Sequence, residues 1–83
     1  MGLVSEELLN ALAPNIGRSY RKLGKALGLK ETKIQNIEDD HRYQEDRGFQ
    51  IMYAWWQSSS QPRRYILAQA LVGAGLASVV REM

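Results

Sequence analysis

The chain has 83 residues, of which 45% are hydrophobic and 24% charged, with a formal net charge of +2 and no cysteine. This length predicts a single domain over residues 1–83, with about residues 4–82 ordered. The lack of cysteine excludes a disulfide framework and a thiolate metal site. The longest nearly uncharged run, residues 65–80, is too short and too interrupted to span a bilayer, so we expect a cytoplasmic protein without membrane insertion.

The first predicted helix begins after Ser5, a residue type that is favoured as an N-cap. Its buried stripe consists of Leu8, Leu9 and Leu12 at helical spacing, and Pro14 ends it. No strand-like alternation of apolar and polar residues is found here or further along the chain.

Two more short helices follow, and a glycine separates them. The second covers about residues 18–27 and stops at Gly28, a usual C-terminal signal. The third covers about residues 31–39 and buries Ile34 and Ile37.

The fourth predicted helix is the longest, about residues 44–57. Its apolar residues at i, i+3, i+4 and i+7 predict the buried face: Phe49, Met52, Tyr53 and Trp56. Trp55 is rotated from Trp56 by about 100° and is therefore expected to be partly exposed. We interpret it as either a rim residue of the core or an anchor for a partner.

The C-terminal part predicts two further helices after a loop at residues 58–61. Pro62 suits the first turn of the fifth helix, which turns four apolar side chains inward: Ile66, Leu67, Ala70 and Leu71. Gly73 and Gly75 break the chain, and a last helix runs from residue 76 or 77 to 82. The sequence therefore predicts an all-α fold, a six-helix antiparallel bundle.

Charged residues are separated into a basic and an acidic region. On the second helix four cations lie opposite the apolar face: Arg18, Arg21, Lys22 and Lys25. Carboxylates follow further on: Glu38, Asp39, Asp40, Glu45 and Asp46. The basic face is either a solvated surface or a binding patch, and the acidic region favours binding to copies of the same chain. Arg21 and Lys25 are expected to point into solvent and to contribute little to folding.

Sites for catalysis are not indicated by the sequence. His41 is the only histidine and has no second histidine or cysteine with which to hold a metal. The serines at positions 58–60 are typical of a turn, and no phosphate-binding glycine-rich loop is present. We expect neither an enzyme nor a cofactor.

One alternative is a helix-turn-helix DNA-binding domain within residues 23–38. In that interpretation polar side chains of the third helix reach base edges: Lys30, Thr32, Lys33, Gln35 and Asn36. The three carboxylates that follow, Glu38, Asp39 and Asp40, oppose this interpretation because they would repel the phosphate backbone. No nucleic-acid partner is therefore expected.

The order and spacing of several elements resemble the death-domain family, including members that serve as signalling adaptors. The matching elements cover about residues 8–80 and are Tyr20, Leu23, Leu27-Gly28, Ile34, Ile37-Glu38, Trp56 and Ala70-Leu71. Tyr20 stands where the family usually has a tryptophan. The loop before the fifth helix is about two residues shorter than in the adaptors, which puts contacts through that loop in doubt.

The resemblance implies homotypic assembly with other death domains into an apoptotic or innate-immune signalling complex. In such a contact, helices 2 and 3 of one subunit meet helices 1 and 4 of the next. The implied cations are Arg18, Arg21, Lys22, Lys25 and Lys33, and the implied carboxylates include Glu6, Glu7, Glu45 and Asp46. A head-to-tail contact of this kind propagates into larger oligomers. A closed structural dimer is a third interpretation of the same bundle.

Overall fold

Six α-helices surround one apolar core in the computed structural model, which describes residues 2–83. The helices are α1 (Glu6–Leu12), α2 (Tyr20–Ala26), α3 (Glu31–Asp40), α4 (Gln44–Ser58), α5 (Arg64–Gly73) and α6 (Ala77–Val80). The predicted all-α six-helix bundle is confirmed. Met1, the first residue of the predicted domain, lies outside the described residues.

Helix α1 begins and ends for local reasons. The Ser5 Oγ accepts a hydrogen bond from the Leu8 amide at 3.2 Å, which satisfies one of the free N–H groups of the first turn. Its three leucines are buried, as predicted. Pro14 lies in a 3₁₀ turn, Ala13–Asn15, that directly follows the helix.

Helix α2 is shorter than predicted. Arg18 belongs to a second 3₁₀ turn, Gly17–Ser19, so the α-helix begins only at Tyr20. Gly28 ends it with a φ of 85°, a conformation that glycine adopts without steric cost.

The register predicted for α4 is wrong by one residue. Its buried residues are Gly48, Ile51, Met52 and Trp55, and Trp55 is only 5% exposed. Trp56, Tyr53 and Phe49 are half-buried and pack against one another along the rim. Trp55 is therefore a core residue, and its interpretation as a partner anchor is withdrawn.

Close packing at Gly48 explains this register. A Cβ atom built on Gly48 would lie 3.0 Å from the Cβ of Ile16, so only glycine lets α4 approach the turn before α2 so closely. Ile16 is itself 1% exposed. The glycine stripe therefore faces the core, and the neighbouring aromatic stripe lies at the edge.

Trp56 has a specific role at that edge. Its indole Nε1 donates to the Val4 carbonyl at 2.8 Å, and the Val4 amide donates to the Pro62 carbonyl at 2.7 Å. An isolated antiparallel bridge pairs Leu3 with Arg63. These bonds attach the N-terminal segment to α4 and to the segment before α5.

The last two helices differ from the prediction at their ends. Helix α5 begins at Arg64, so Pro62 precedes the helix instead of lying in its first turn. Three of the four predicted inward residues are buried, while Ile66 is half-buried. Helix α5 continues through Gly73, and Gly75, with a φ of 79°, then turns the chain into a short α6.

The two tryptophans of α4 should respond differently to substitution. Trp55→Ala should lower the free energy of unfolding by about 3–5 kcal/mol, because it empties a core position. Trp56→Phe keeps an aromatic ring at the edge but removes the bond to Val4, which should cost about 1 kcal/mol. Urea unfolding followed by far-ultraviolet circular dichroism measures both. A larger loss for Trp56→Phe than for Trp55→Ala would contradict the observed register.

Candidate partner-binding surface

The basic surface of α2 contains cations in two different environments. Arg18, Lys22 and Lys33 are exposed. Within residues 2–83, the ion pairs found leave these three side chains without a carboxylate partner. They are therefore available to carboxylates of another molecule.

Arg21 belongs to the second environment, and the expectation that it points into solvent is wrong. Its Nη1 donates to the Glu31 carboxylate at 3.0 Å, and its Nη2 contacts the same oxygen. Nη1 also lies 3.6 Å from the carboxylate of Glu38. The Arg21 side chain is only 33% exposed, because α3 packs beside it.

Lys25 shares one of these carboxylates. Its Nζ lies 3.7 Å from Oε2 of Glu31, whereas Arg21 occupies Oε1 of the same side chain. In the sequence Glu31 marks only the start of the predicted third helix. Its role depends on how the turn at Gly28 places α3 against α2, which helical periodicity does not describe.

A second cluster ties α2, α3 and α4 together through Arg47, which the sequence analysis did not single out. The Arg47 Nε donates to the His41 carbonyl at 2.6 Å, and Nη2 donates to the Glu38 carbonyl at 3.1 Å. Nη1 donates to the Tyr20 hydroxyl at 3.2 Å, and the guanidinium carbon lies 5.6 Å from the centre of the Tyr20 ring. Arg47 therefore holds the end of α3 against the first residue of α2.

The Tyr20 hydroxyl donates in turn to the Glu38 carboxylate. Burial of the phenol is the main cause that raises the pKa of Tyr20 above its ordinary value of 10.0, and the hydrogen bond to Glu38 adds to the increase. The Glu38 side chain is 19% exposed and is occupied by these internal contacts. Glu38 is therefore removed from the predicted partner-binding residues.

The predicted acidic residues are exposed at several helix ends. Glu6 and Glu7 lie in the first turn of α1, and Glu45 and Asp46 lie in the first turn of α4. Asp39 and Asp40 are exposed at the end of α3. These are separate groups of carboxylates on the surface.

Glu45 and Asp46 form the best defined of these acidic groups. They line a depression of about 380 Å³ whose other walls include Asn10 of α1 and His41. Glu6 and Glu7 lie outside that lining. The structure therefore places the α4 pair beside α1 without joining the two acidic pairs into one site.

Four of the five polar residues that the helix-turn-helix interpretation assigned to DNA lie beside α4. Lys30, Thr32, Lys33 and Asn36 line a depression of about 610 Å³ together with residues of α4 that include Gln57 and Ser58. Nothing in this arrangement supports the DNA-binding alternative.

Two kinds of structural feature are absent from the described part of the chain. Among residues 2–83 there is no helix with the length and apolar character needed to cross a membrane. The same residues contain no group of three or more histidine, cysteine or acidic side chains suited to a metal ion.

Comparison with known proteins gives one match. A family model described as the death domain matches residues 6–83, a span that includes all six helices. No curated protein and no solved structure matches the chain.

The Tyr20 hydroxyl should make the fold sensitive to alkaline pH. Because the pKa of Tyr20 is higher in the folded chain than its ordinary 10.0, the stabilisation that it provides is complete below pH 10.0. This stabilisation should be lost as the pH rises through the raised pKa. Chemical unfolding at several pH values measures the loss, and Tyr20→Phe should make the alkaline decline shallower.

Below pH 10.0, Tyr20→Phe should lower the free energy of unfolding by about 1.5–3 kcal/mol, because the hydrogen bond to the charged Glu38 is lost. Tyr53→Phe is the matched control. The Tyr53 hydroxyl accepts one solvent-exposed hydrogen bond, from the Gln57 side chain at 2.9 Å. Ultraviolet absorbance of the phenolates gives a second test. If the difference between the parent and Tyr20→Phe showed Tyr20 ionising at the ordinary pKa of 10.0 in the folded chain, the observed cluster would be contradicted.

Proposed function

The chain belongs to the death-domain family, and on that premise we propose that two exposed cations, Arg18 in the turn before α2 and Lys22 on α2, bind carboxylates on α4 of another death domain. Members of the family are protein-interaction modules, not enzymes, and they associate with other death-domain proteins. The observation that carries the proposal is the pair Arg18 and Lys22, exposed and without a carboxylate partner in the described chain.

Charge complementarity supports this contact. Glu45 and Asp46 provide two adjacent exposed carboxylates beside α1, and Lys33 adds a third exposed cation on α3. Opposite charges on two surfaces steer association and discriminate against partners with the wrong sign. The same chain therefore carries both halves of a contact, and each copy can use one half with each neighbour.

Such a contact is head-to-tail: a row of copies keeps one free surface of each kind at its two ends and can add further copies unless its rotation closes a ring. In this proposal the chain nucleates a signalling complex of the apoptotic or innate-immune type in the cytoplasm. It acts as an adaptor, and enzymatic activity comes from other domains or proteins. Glu6, Glu7, Asp39 and Asp40 are peripheral acidic contributors in the same proposal.

The proposal excludes duplex DNA as a partner. Asp39 and Asp40 are exposed at the end of α3, where they would oppose contact with a phosphate backbone. We expect no sequence-selective duplex binding near physiological salt in a gel-shift experiment. A submicromolar, sequence-selective complex would contradict the proposed function.

Charge reversal on α2 tests the proposed contact. Arg18→Glu with Lys22→Glu should leave the thermal midpoint nearly unchanged, because both side chains are exposed and unpaired. Self-association, measured by light scattering, should weaken by about tenfold or more, since each attraction becomes a repulsion. The parent should also dissociate as salt rises, given a screening length of about 8 Å at physiological ionic strength.

Reversal of the acidic side provides the rescue. Glu45→Lys with Asp46→Lys, mixed with the α2 variant, should restore association, because the two altered surfaces attract each other. A single reversal at each of two sites gives the matched control: Lys22→Glu alone should weaken association, whereas Arg81→Glu, the same reversal of an exposed cation just after α6, should not. If the α2 variant assembled as strongly as the parent, the basic face would be only a solvated surface.

A further inference from the structure

One carboxylate of α3 engages two cations of the basic face. Glu31 binds Arg21 through Oε1 and Lys25 through Oε2, and its side chain is 58% exposed. The Lys25 side chain is 66% exposed, so Glu31 leaves its surface open but already offsets part of the charge that a partner's carboxylate would meet at these two cations.

We propose that Glu31 is an internal competitor that masks Arg21 and Lys25 in the free chain. This inference rests on the proposed function, because it concerns access to the same basic face. Of the four cations that the sequence places on the basic face, Arg18 and Lys22 then remain unmasked, which explains why four cations in sequence become two available cations in the fold.

The mask is weak enough for a partner to displace. An exposed ion pair shifts an equilibrium by only about 1.5- to fivefold, and it is screened by salt. Glu31 lies in the first turn of α3, whose backbone need not move when the side chain rotates away. Arg21 keeps a second carboxylate, Glu38, at 3.6 Å, whereas Glu31 is the one carboxylate found within ion-pair distance of Lys25 in the described chain. Displacement of Glu31 therefore leaves Lys25 without an internal carboxylate, whereas Arg21 still has Glu38.

The mask makes association selective. A partner with one carboxylate gains little from displacing Glu31, because one ion pair is exchanged for another. A partner that offers two or more carboxylates can engage Arg18 or Lys22 with one of them and replace Glu31 at Lys25 with another. Glu31 therefore favours strongly acidic partner surfaces over weakly acidic ones.

The opposite role for Glu31 predicts the opposite result. If Glu31 held Arg21 in the orientation that a partner needs, its removal would weaken binding. If Glu31 masks the cations, its removal strengthens binding. The sign of the change therefore decides between the two roles.

The test uses Glu31→Gln, which keeps the size of the side chain and removes its charge. Two measurements are made: self-association by light scattering, and binding of a short poly-glutamate peptide by calorimetry. Both affinities should increase by about two- to 25-fold, because the factors for two exposed ion pairs multiply. Glu82→Gln is the control, because it also removes one carboxylate and its oxygen can still accept the bond from Asn15. It should change either affinity by less than about twofold.

A double-mutant cycle separates masking from a general change in charge. The gain from Glu31→Gln should be smaller by about twofold or more in a Lys25→Gln background, because Lys25 is then absent. An equal increase in affinity in both backgrounds would show that Glu31→Gln acts only through the net charge of the chain, and it would overturn the proposal. Unchanged or weaker peptide binding by a folded Glu31→Gln variant would also overturn it.

Failure of the proposed function gives a different result. If neither the parent nor Glu31→Gln self-associates while peptide binding still increases, the contact between copies is wrong and the mask is retained. Thermal unfolding shows that each variant is folded before its affinity is compared.

Discussion

Arg47 is the side chain on which the arrangement of α2, α3 and α4 depends. It reaches from the first turn of α4 to two carbonyls at the end of α3, those of Glu38 and His41, and to the hydroxyl of Tyr20 on α2. The last carbonyls of a helix have no partner within the helix and carry partial negative charge, so a guanidinium at this end both satisfies and attracts them. The Tyr20 hydroxyl extends the cluster to the carboxylate of Glu38.

The position of α3 determines what the basic face presents to other molecules. Once Glu38 is held between Tyr20 and Arg21, Glu31 lies two helical turns earlier and reaches both Arg21 and Lys25. The number of cations on α2 therefore overstates the charge that a partner meets. Two of the four, Arg21 and Lys25, already lie within ion-pair distance of Glu31, so in the proposed contact a partner's carboxylate competes with an internal one.

The core of α4 shows how a small residue decides between two equivalent patterns. Both stripes of this helix have the i, i+3, i+4, i+7 spacing, and one of them carries more aromatic surface. The bundle buries the other stripe, in which Gly48 packs so closely on Ile16 that a Cβ atom there would lie 3.0 Å from the Ile16 Cβ. Trp56 is then left at the edge, where its indole N–H binds the Val4 carbonyl and secures the N-terminal segment.

The sequence by itself determined the helical class, the six helices and their glycine stops, the buried leucines of α1, and the resemblance that the family match supports. These features depend on neighbours within one or two turns, which periodicity describes. Tertiary structure alone decided the register of α4 and the internal pairing of Arg21 and Glu38. It also decided the position of Arg47, whose contact with Tyr20 joins residues 27 positions apart. Such contacts depend on distances between helices, and the spacing of residues along one helix contains no information about those distances.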